Sequence, residues 1–226
     1  IELSEVFDAF EQDDQHRVAI VTGAGEKAFC AGLDLKSQSG STGLPQWPMS
    51  GFAGLTERYG GTKPIIAAAN GVAAGGGFEL ALACDLVVAV EGARFSLPEA
   101  RIGLAALAGG IHRLSRQIPL KHAMGMLLTG RSVPAAEGVQ LGFVNEVASA
   151  DELMATARRW AERIAGCAPL AILATKEVAI EGMRHGTVKD AMNMRYPAVE
   201  RMVNSEDFIE GPKAFVEKRK PVWKGK

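Results

Sequence analysis

Residues 69–85 read A-N-G-V-A-A-G-G-G-F-E-L-A-L-A-C-D, with three consecutive glycines directly before an apolar helical segment that carries one acid, Glu79. Three glycines weaken any regular element they sit in, so their use is to let something approach the backbone. The first N–H groups of a helix have no partner within it and carry the positive end of its dipole. A helix that starts near Gly76 or Gly77 therefore offers bare donors to an anion, or to an oxygen on which negative charge develops. The dinucleotide fingerprint G-x-G-x-x-G differs from the G-x-x-x-G-G-G spacing here. Tight packing of a helix on a strand also uses glycine clusters, and the turn alone does not choose between packing and binding.

The surrounding pattern is α/β. Residues 1–13 place Leu3, Val6, Phe7 and Phe10 at helical spacing. R-V-A-I-V-T-G-A-G reads as a buried parallel strand closed by glycines. Ser, Gly and Pro fill residues 37–62 around Trp47, Phe52 and Tyr59, as in a long loop leading into a short helix. I-I-A-A-A-N forms a second buried strand, L-V-V-A-V a third, and Phe95-Ser96 a short further one. Helices are expected at 77–83, 109–117 and 120–128 and after Pro134; F-V-N-E-V returns as a strand, and the chain is helical from Asp151. Alternation followed by helices alone predicts an α/β core with a helical C-terminal lobe.

The 226 residues, 47% of them hydrophobic, suffice for one sizeable core. A net charge of −1 gives no global field for nucleic acid or a membrane surface. Cys30, Cys84 and Cys167 are odd in number and lack CxxC spacing, and the four histidines form no zinc pattern. The expectation is a reduced, cytoplasmic protein without a metal. The stretch from Ile65 to Val90 is the most apolar, but Asn70, Glu79 and Asp85 interrupt it, so no membrane span is expected. The first residue is Ile1, and no signal peptide is visible.

A second glycine turn, in E-K-A-F-C-A-G-L-D-L-K, also follows a buried strand. At the carboxyl ends of parallel strands two such turns can aim two N–H groups at one oxygen. Glu99, in F-S-L-P-E-A-R-I-G-L, follows Glu79 by twenty residues and likewise sits among apolar neighbours. Either acid alone is an ordinary surface group. Together at one small site, one stays protonated while the other ionises.

The blocks A-F-C-A-G-L-D-L-K, K-P-I-I-A-A-A-N-G-V-A-A-G-G-G-F-E-L-A-L-A-C-D and F-S-L-P-E-A-R-I-G-L, in this order, resemble the enoyl-CoA hydratase/isomerase (crotonase) family. T-G-R-S-V-P-A-A-E-G-V-Q-L-G-F-V-N-E-V is similar to the family's next block and A-F-V-E-K-R-K-P-V-W to its C-terminal end, so the resemblance runs from about residue 18 to 223. It implies a ββα spiral core over residues 1–165 and a helical region over 166–226 that packs a homotrimer or a dimer of trimers. It implies an acyl-CoA thioester substrate, an enolate stabilised at the thioester oxygen, and no cofactor, coenzyme A being part of the substrate.

By motif position the oxyanion donors fall on the backbone N–H groups of Leu33 and Gly76. Members that hydrate enoyl-CoA have two glutamates, at the positions of Glu79 and Glu99. With both present, the resemblance implies hydration of 2-enoyl-CoA to 3-hydroxyacyl-CoA. Glu79 would help activate water for attack at the β carbon, Glu99 would deliver a proton to the α carbon, and the pair would titrate as a unit. Along the coenzyme A the resemblance puts Ala31, Gly75 and the stretch Leu33, Asp34, Leu35, Lys36, with Lys27 and Lys36 as phosphate partners. The basic tail K-R-K-P-V-W-K-G-K is either solvated or reaches a bound coenzyme A, as in some members.

Three departures from the family pattern stand out. The chain opens in what the pattern has as a first helix, so the family's opening strands and an N-R-P-type segment are expected to be missing. Ala105-Ala106 stand in the loop after the second glutamate, and Ile111-His112 replace the usual Thr-Gln, which makes His112 either a site residue or a helix-surface histidine. Trp47 and Phe52, in the long loop, either line the acyl pocket or pin the loop to the core. The alternatives are an isomerase or a carnitinyl-CoA-type dehydratase of the same family, or a non-catalytic CoA- or RNA-binding oligomer. For the last, the near-neutral charge offers no footprint.

Overall fold

In a computed structural model that describes residues 1–34 and 46–226, two four-stranded sheets carry the core. The first consists of β1 (Ala19–Thr22), β3 (Ile65–Ala69), β5 (Leu86–Val90) and β8 (Glu146–Ala148), in that order and parallel throughout. The second consists of β2 (Ala28–Cys30), β4 (Val72–Ala74), β6 (Arg94–Ser96) and β7 (Val133–Pro134); only its β6–β7 pair is antiparallel. Consecutive strands therefore step from one sheet to the other: β1 to β2, β3 to β4, β5 to β6. That stepping sets the ends of β2 and β4 side by side, paired through Ala28 with Val72 and Cys30 with Ala73.

Strand β3 is buried at all five residues, as its unbroken apolar run requires of a central strand. Strand β1 is only part-buried, contrary to the expectation of a buried strand, because among the described residues it pairs with β3 alone and forms an edge. Strands β2 and β4 are three residues each, rich in Ala, and were not expected from the sequence. F-V-N-E-V is a strand only from Glu146. Phe143 and Val144 donate instead to Gly138 O at 3.1 and 3.2 Å, which turns them out of the ladder.

Ten helices lie among the described residues: α1 (Glu2–Gln12), α2 (Gly76–Ala83), α3 (Gly110–Gln117), α4 (Leu120–Thr129), α5 (Ala135–Leu141), α6 (Leu153–Ala165), α7 (Pro169–Gly182), α8 (Val188–Met192), α9 (Pro197–Val203) and α10 (Glu206–Val216). Where a short helix was expected after the long loop, there is one 3-10 turn, Phe52–Gly54. Helix α2 runs through the interior, with Gly77 to Leu82 all buried. Beneath it Phe78, Phe95 and Phe143 meet with ring centroids 5.1 to 5.3 Å apart. Asp85, just past α2, accepts from Ile65 N–H and Lys176 Nζ, both at 2.8 Å, and so fastens the start of β3 to α7. No described helix is long and apolar enough to cross a membrane.

Candidate active site

Two glycine turns meet where β2 and β4 end. Gly32 has φ +87, and a Cβ there would lie 2.8 Å from Ala74 O and 3.0 Å from Gly76 N. A Cβ on Gly77 would lie 1.8 Å from Cys30 O. Only glycine permits this approach of two backbones. Gly75 precedes α2 with φ +55 and donates its N–H to Ser96 O at 3.0 Å, which ties the turn to β6. Gly76 is the first residue of α2, so its N–H has no partner within the helix.

Glu79 lies one turn into α2 and is 4% exposed. Its Oε1 accepts from Gly110 N–H, at the start of α3, at 2.8 Å. Burial is the main force that pushes this carboxyl up to about 7 from the ordinary 4.5, and the charge of Glu99 adds to it. The N–H groups of Gly110 and Ala108 and the Arg113 guanidinium oppose the rise. Glu99 opens the 3-10 turn Glu99–Ile102, and burial raises its carboxyl too. Its Oε1 would lie 3.1 Å from a Cβ on Gly75, and its buried Oε2 has no partner among the described residues. Two carboxyls that resist ionisation thus flank the N-terminal turn of one helix. Such an arrangement holds and moves a proton beside a pair of backbone donors.

The other expected residues divide. Lys27, Ala31 and Asp34 are exposed on the approach to the first turn, while Leu35 and Lys36 lie outside the described residues. His112 is exposed on α3, as the helix-surface reading of that histidine expects. Trp47 and Phe52 meet edge to face at 5.3 Å, and the tip of the Phe52 ring would lie 2.9 Å from a Cβ on Gly76. The basic tail is folded back: Arg219 pairs with Glu210 and Glu217, and Trp223 Nε1 donates to Gly166 O at 2.9 Å.

Gly110 and Arg113 were missed by the sequence reading. Their only signal was the glycine pair that opens G-G-I-H-R. Among the described residues no cluster of three or more His, Cys, Asp and Glu could hold a metal ion. Two cavities of about 420 Å³ lie away from the glutamates, one by α10 and the tail, the other between the end of α1 and the α6–α7 junction.

The family model described as Enoyl-CoA hydratase/isomerase matches residues 1–226. A carnitinyl-CoA dehydratase of Proteus mirabilis (strain HI4320) is 47% identical over 237 aligned positions, covering 100% of this chain and 88% of that protein. The carnitinyl-CoA dehydratase of Escherichia coli (strain K12) matches at the same identity and coverage. Among solved structures, an enoyl-CoA hydratase from Mycobacterium tuberculosis H37Rv superposes with a TM-score of 0.90 at 39% identity, over 100% of this chain and 87% of that one. An enoyl-CoA hydratase from Bacillus anthracis gives 0.89 at 36%, over 100% and 88%. The whole-chain family match, with likeness at these identities and TM-scores, identifies the chain as a member of the enoyl-CoA hydratase/isomerase (crotonase) family.

Proposed function

We propose that this chain is a hydro-lyase that adds water to, or removes it from, a coenzyme A thioester, and that its substrate is of the carnitinyl-CoA type. The observation that carries the reaction class is the pair Glu79 and Glu99, both with raised carboxyl pKa, beside the two glycine turns. In hydration, ionised Glu79 takes a proton from water as its oxygen bonds to the β carbon. The electron pair of the double bond moves to the thioester oxygen, and protonated Glu99 delivers its proton to the α carbon. In dehydration each step reverses: Glu99 removes the α proton, and Glu79 protonates the departing hydroxyl. The N–H groups of Leu33 and Gly76 receive the enolate oxygen, helped by the positive end of α2.

The substrate type rests on the 47% identity to carnitinyl-CoA dehydratases and on the Trp47–Phe52 pair beside Gly76. Carnitinyl-CoA carries a trimethylammonium group, and aromatic faces attract such cations. Hydration of a plain 2-enoyl-CoA is the second reading, supported by the two glutamates and by the solved enoyl-CoA hydratases.

The test is turnover of carnitinyl-CoA and of crotonyl-CoA, followed at the thioenoyl absorbance, by the parent and by Glu79→Gln and Glu99→Gln. The expected outcome is turnover of the carnitinyl thioester that falls about a thousandfold or more in each variant. Phe52→Leu should raise KM for carnitinyl-CoA about tenfold while changing that for crotonyl-CoA little. Equal turnover of both thioesters by the parent, and equal response to Phe52→Leu, would favour the plain hydratase. A parent that turns over neither would end the hydro-lyase reading.

A further inference from the structure

Glu79 rests on a peptide that is itself held from another part of the chain. A Cβ on Gly110 would lie 2.9 Å from both Cγ and Oε1 of Glu79, so the glutamate fills the space of a side chain at that position. At the preceding Gly109, φ is +102 and a Cβ would lie 2.0 Å from Arg113 Nη1. The guanidinium therefore lies against the peptide that presents the Gly110 amide to Glu79. Each glycine of the pair makes room for one charged side chain.

The other edge of the same guanidinium reaches the segment around Phe52. Arg113 Nη2 donates to Thr56 O at 2.7 Å, two residues past the 3-10 turn. That turn holds Gly51 at φ 79, Ala53 at φ 51 and Gly54 at φ 68. A left-handed alanine costs on the order of 1 kcal/mol and persists only where its surroundings fix it. Arg58 fixes one side, donating to Gly54 O and Ser4 O at 3.0 Å each. Arg113 fixes the other. The turn in turn presses Phe52 onto Gly76.

We propose that Arg113 is a positioning residue that couples the two halves of the site, setting the Gly109–Gly110 peptide on which Glu79 rests and the turn that holds Phe52 on Gly76. The proposal rests on the reading of Glu79 as a catalytic carboxylate. Its charge matters as well as its reach. The charged and titratable groups facing Glu79 are Glu99 from the 3-10 turn after β6 and Arg113 from α3. Around Arg113 stand Glu57 and Tyr59 from the segment after the Phe52 turn, Cys84 at the end of α2, and Glu79 itself. Burial and Glu99 both oppose a charge on Glu79, while Arg113 favours it. Without Arg113, Glu79 should ionise only at higher pH.

The test compares the parent with Arg113→Met, Arg113→Lys and Gly109→Ala. The Glu79 carboxyl is titrated by NMR of protein labelled at the glutamate carboxyl carbon, with the signal assigned through Glu79→Gln, and kcat and KM are measured alongside. In Arg113→Met the midpoint should rise by about half a pH unit or more, and kcat should fall about 100-fold through the misplaced Glu79 and Phe52. Arg113→Lys should recover part of both, since it keeps the charge and loses the fork. Gly109→Ala, which puts a methyl where the guanidinium lies, should move both in the direction of Arg113→Met. A folded Arg113→Met with the parent's midpoint would overturn the proposal. Should that variant not fold, parental midpoints and kcat in both Arg113→Lys and Gly109→Ala would overturn it instead. An inactive parent would remove the functional reading, and the midpoint shift alone would then decide the role of Arg113.

Discussion

Glu79 shows how a buried acid works against the fold that carries it. Its carboxyl is raised to about 7 from 4.5 chiefly by burial. Below pH 4.5 it is protonated in the folded and unfolded chain alike, so its ionisation costs nothing. Between 4.5 and about 7 the unfolded chain ionises first and the folded state loses ground; above 7 the loss is complete. At roughly 1.4 kcal/mol per pH unit this amounts to at most about 3.5 kcal/mol. Glu79→Gln keeps an oxygen for the Gly110 N–H and removes the charge. Urea unfolding should find it more stable than the parent by about 1–3 kcal/mol at pH 8 and unchanged at pH 4.5. The same gain at both pH values would mean that the charge is not what burial penalises. Glu79, Glu99 and the glycine turns were legible because an acid among apolar neighbours and a run of glycines are local anomalies. Gly110 was not, since its partner is 31 residues away.

The glycines of α2 separate into two kinds once the elements around it are placed. At Gly77 the obstacle is the backbone oxygen of Cys30, 1.8 Å from the position a Cβ would take. No rotamer relieves that, so Gly77→Ala must push α2 off β2, at a cost of about 3 kcal/mol or more. At Gly76 the obstacle is the Phe52 ring at 2.9 Å, a side chain that can give way. Gly76→Ala should cost about 1 kcal/mol of stability and lower kcat about tenfold or more by displacing that ring beside the proposed oxyanion turn. Denaturant midpoints and kcat measured on both variants check the contrast; equal stabilities would show that the helix–strand approach is not what Gly77 serves. Strands β3 and β5 were legible as unbroken apolar runs and α6 from its helical periodicity. Strands β2 and β4 were not, because three residues carry too little pattern to tell a strand from a loop.

At the scale of the whole molecule, the C-terminal helices leave apolar side chains in water. On α10, Ile209 is 71% exposed, Phe215 85% and Val216 79%, and Phe208 joins them at helical spacing. The helix itself is well anchored. Its Ser205 cap accepts from Phe208 N–H, and the buried Asp207 carboxylate accepts from the N–H groups of Lys224 and Gly225 at 2.7 and 2.9 Å. A fixed helix with an uncovered apolar face supports the proposal of a homotrimer or a dimer of trimers. Light scattering at micromolar concentration should give a mass of three or six chains, and Phe215→Asp with Val216→Asp should lower it to one. A monomeric parent would remove the proposal.

By itself the sequence determined what each residue type imposes locally. Glycines set where the backbone must turn left-handed or lie bare. Unbroken apolar runs set the central strands, apolar periodicity set the long helices, and isolated acids in apolar runs marked the carboxyls that would resist ionisation. These are legible because a missing Cβ, a fixed period and a buried charge act within a few residues of their own position. Only the tertiary structure decided that Gly110 holds Glu79, that Phe52 lies on Gly76, and that Arg113 spans from Gly109 to Thr56. Glu79 and Gly110, Phe52 and Gly76, and Thr56 and Arg113 lie 24 to 57 residues apart in the chain. Their meeting depends on strand order and register across two sheets, which no single residue type encodes.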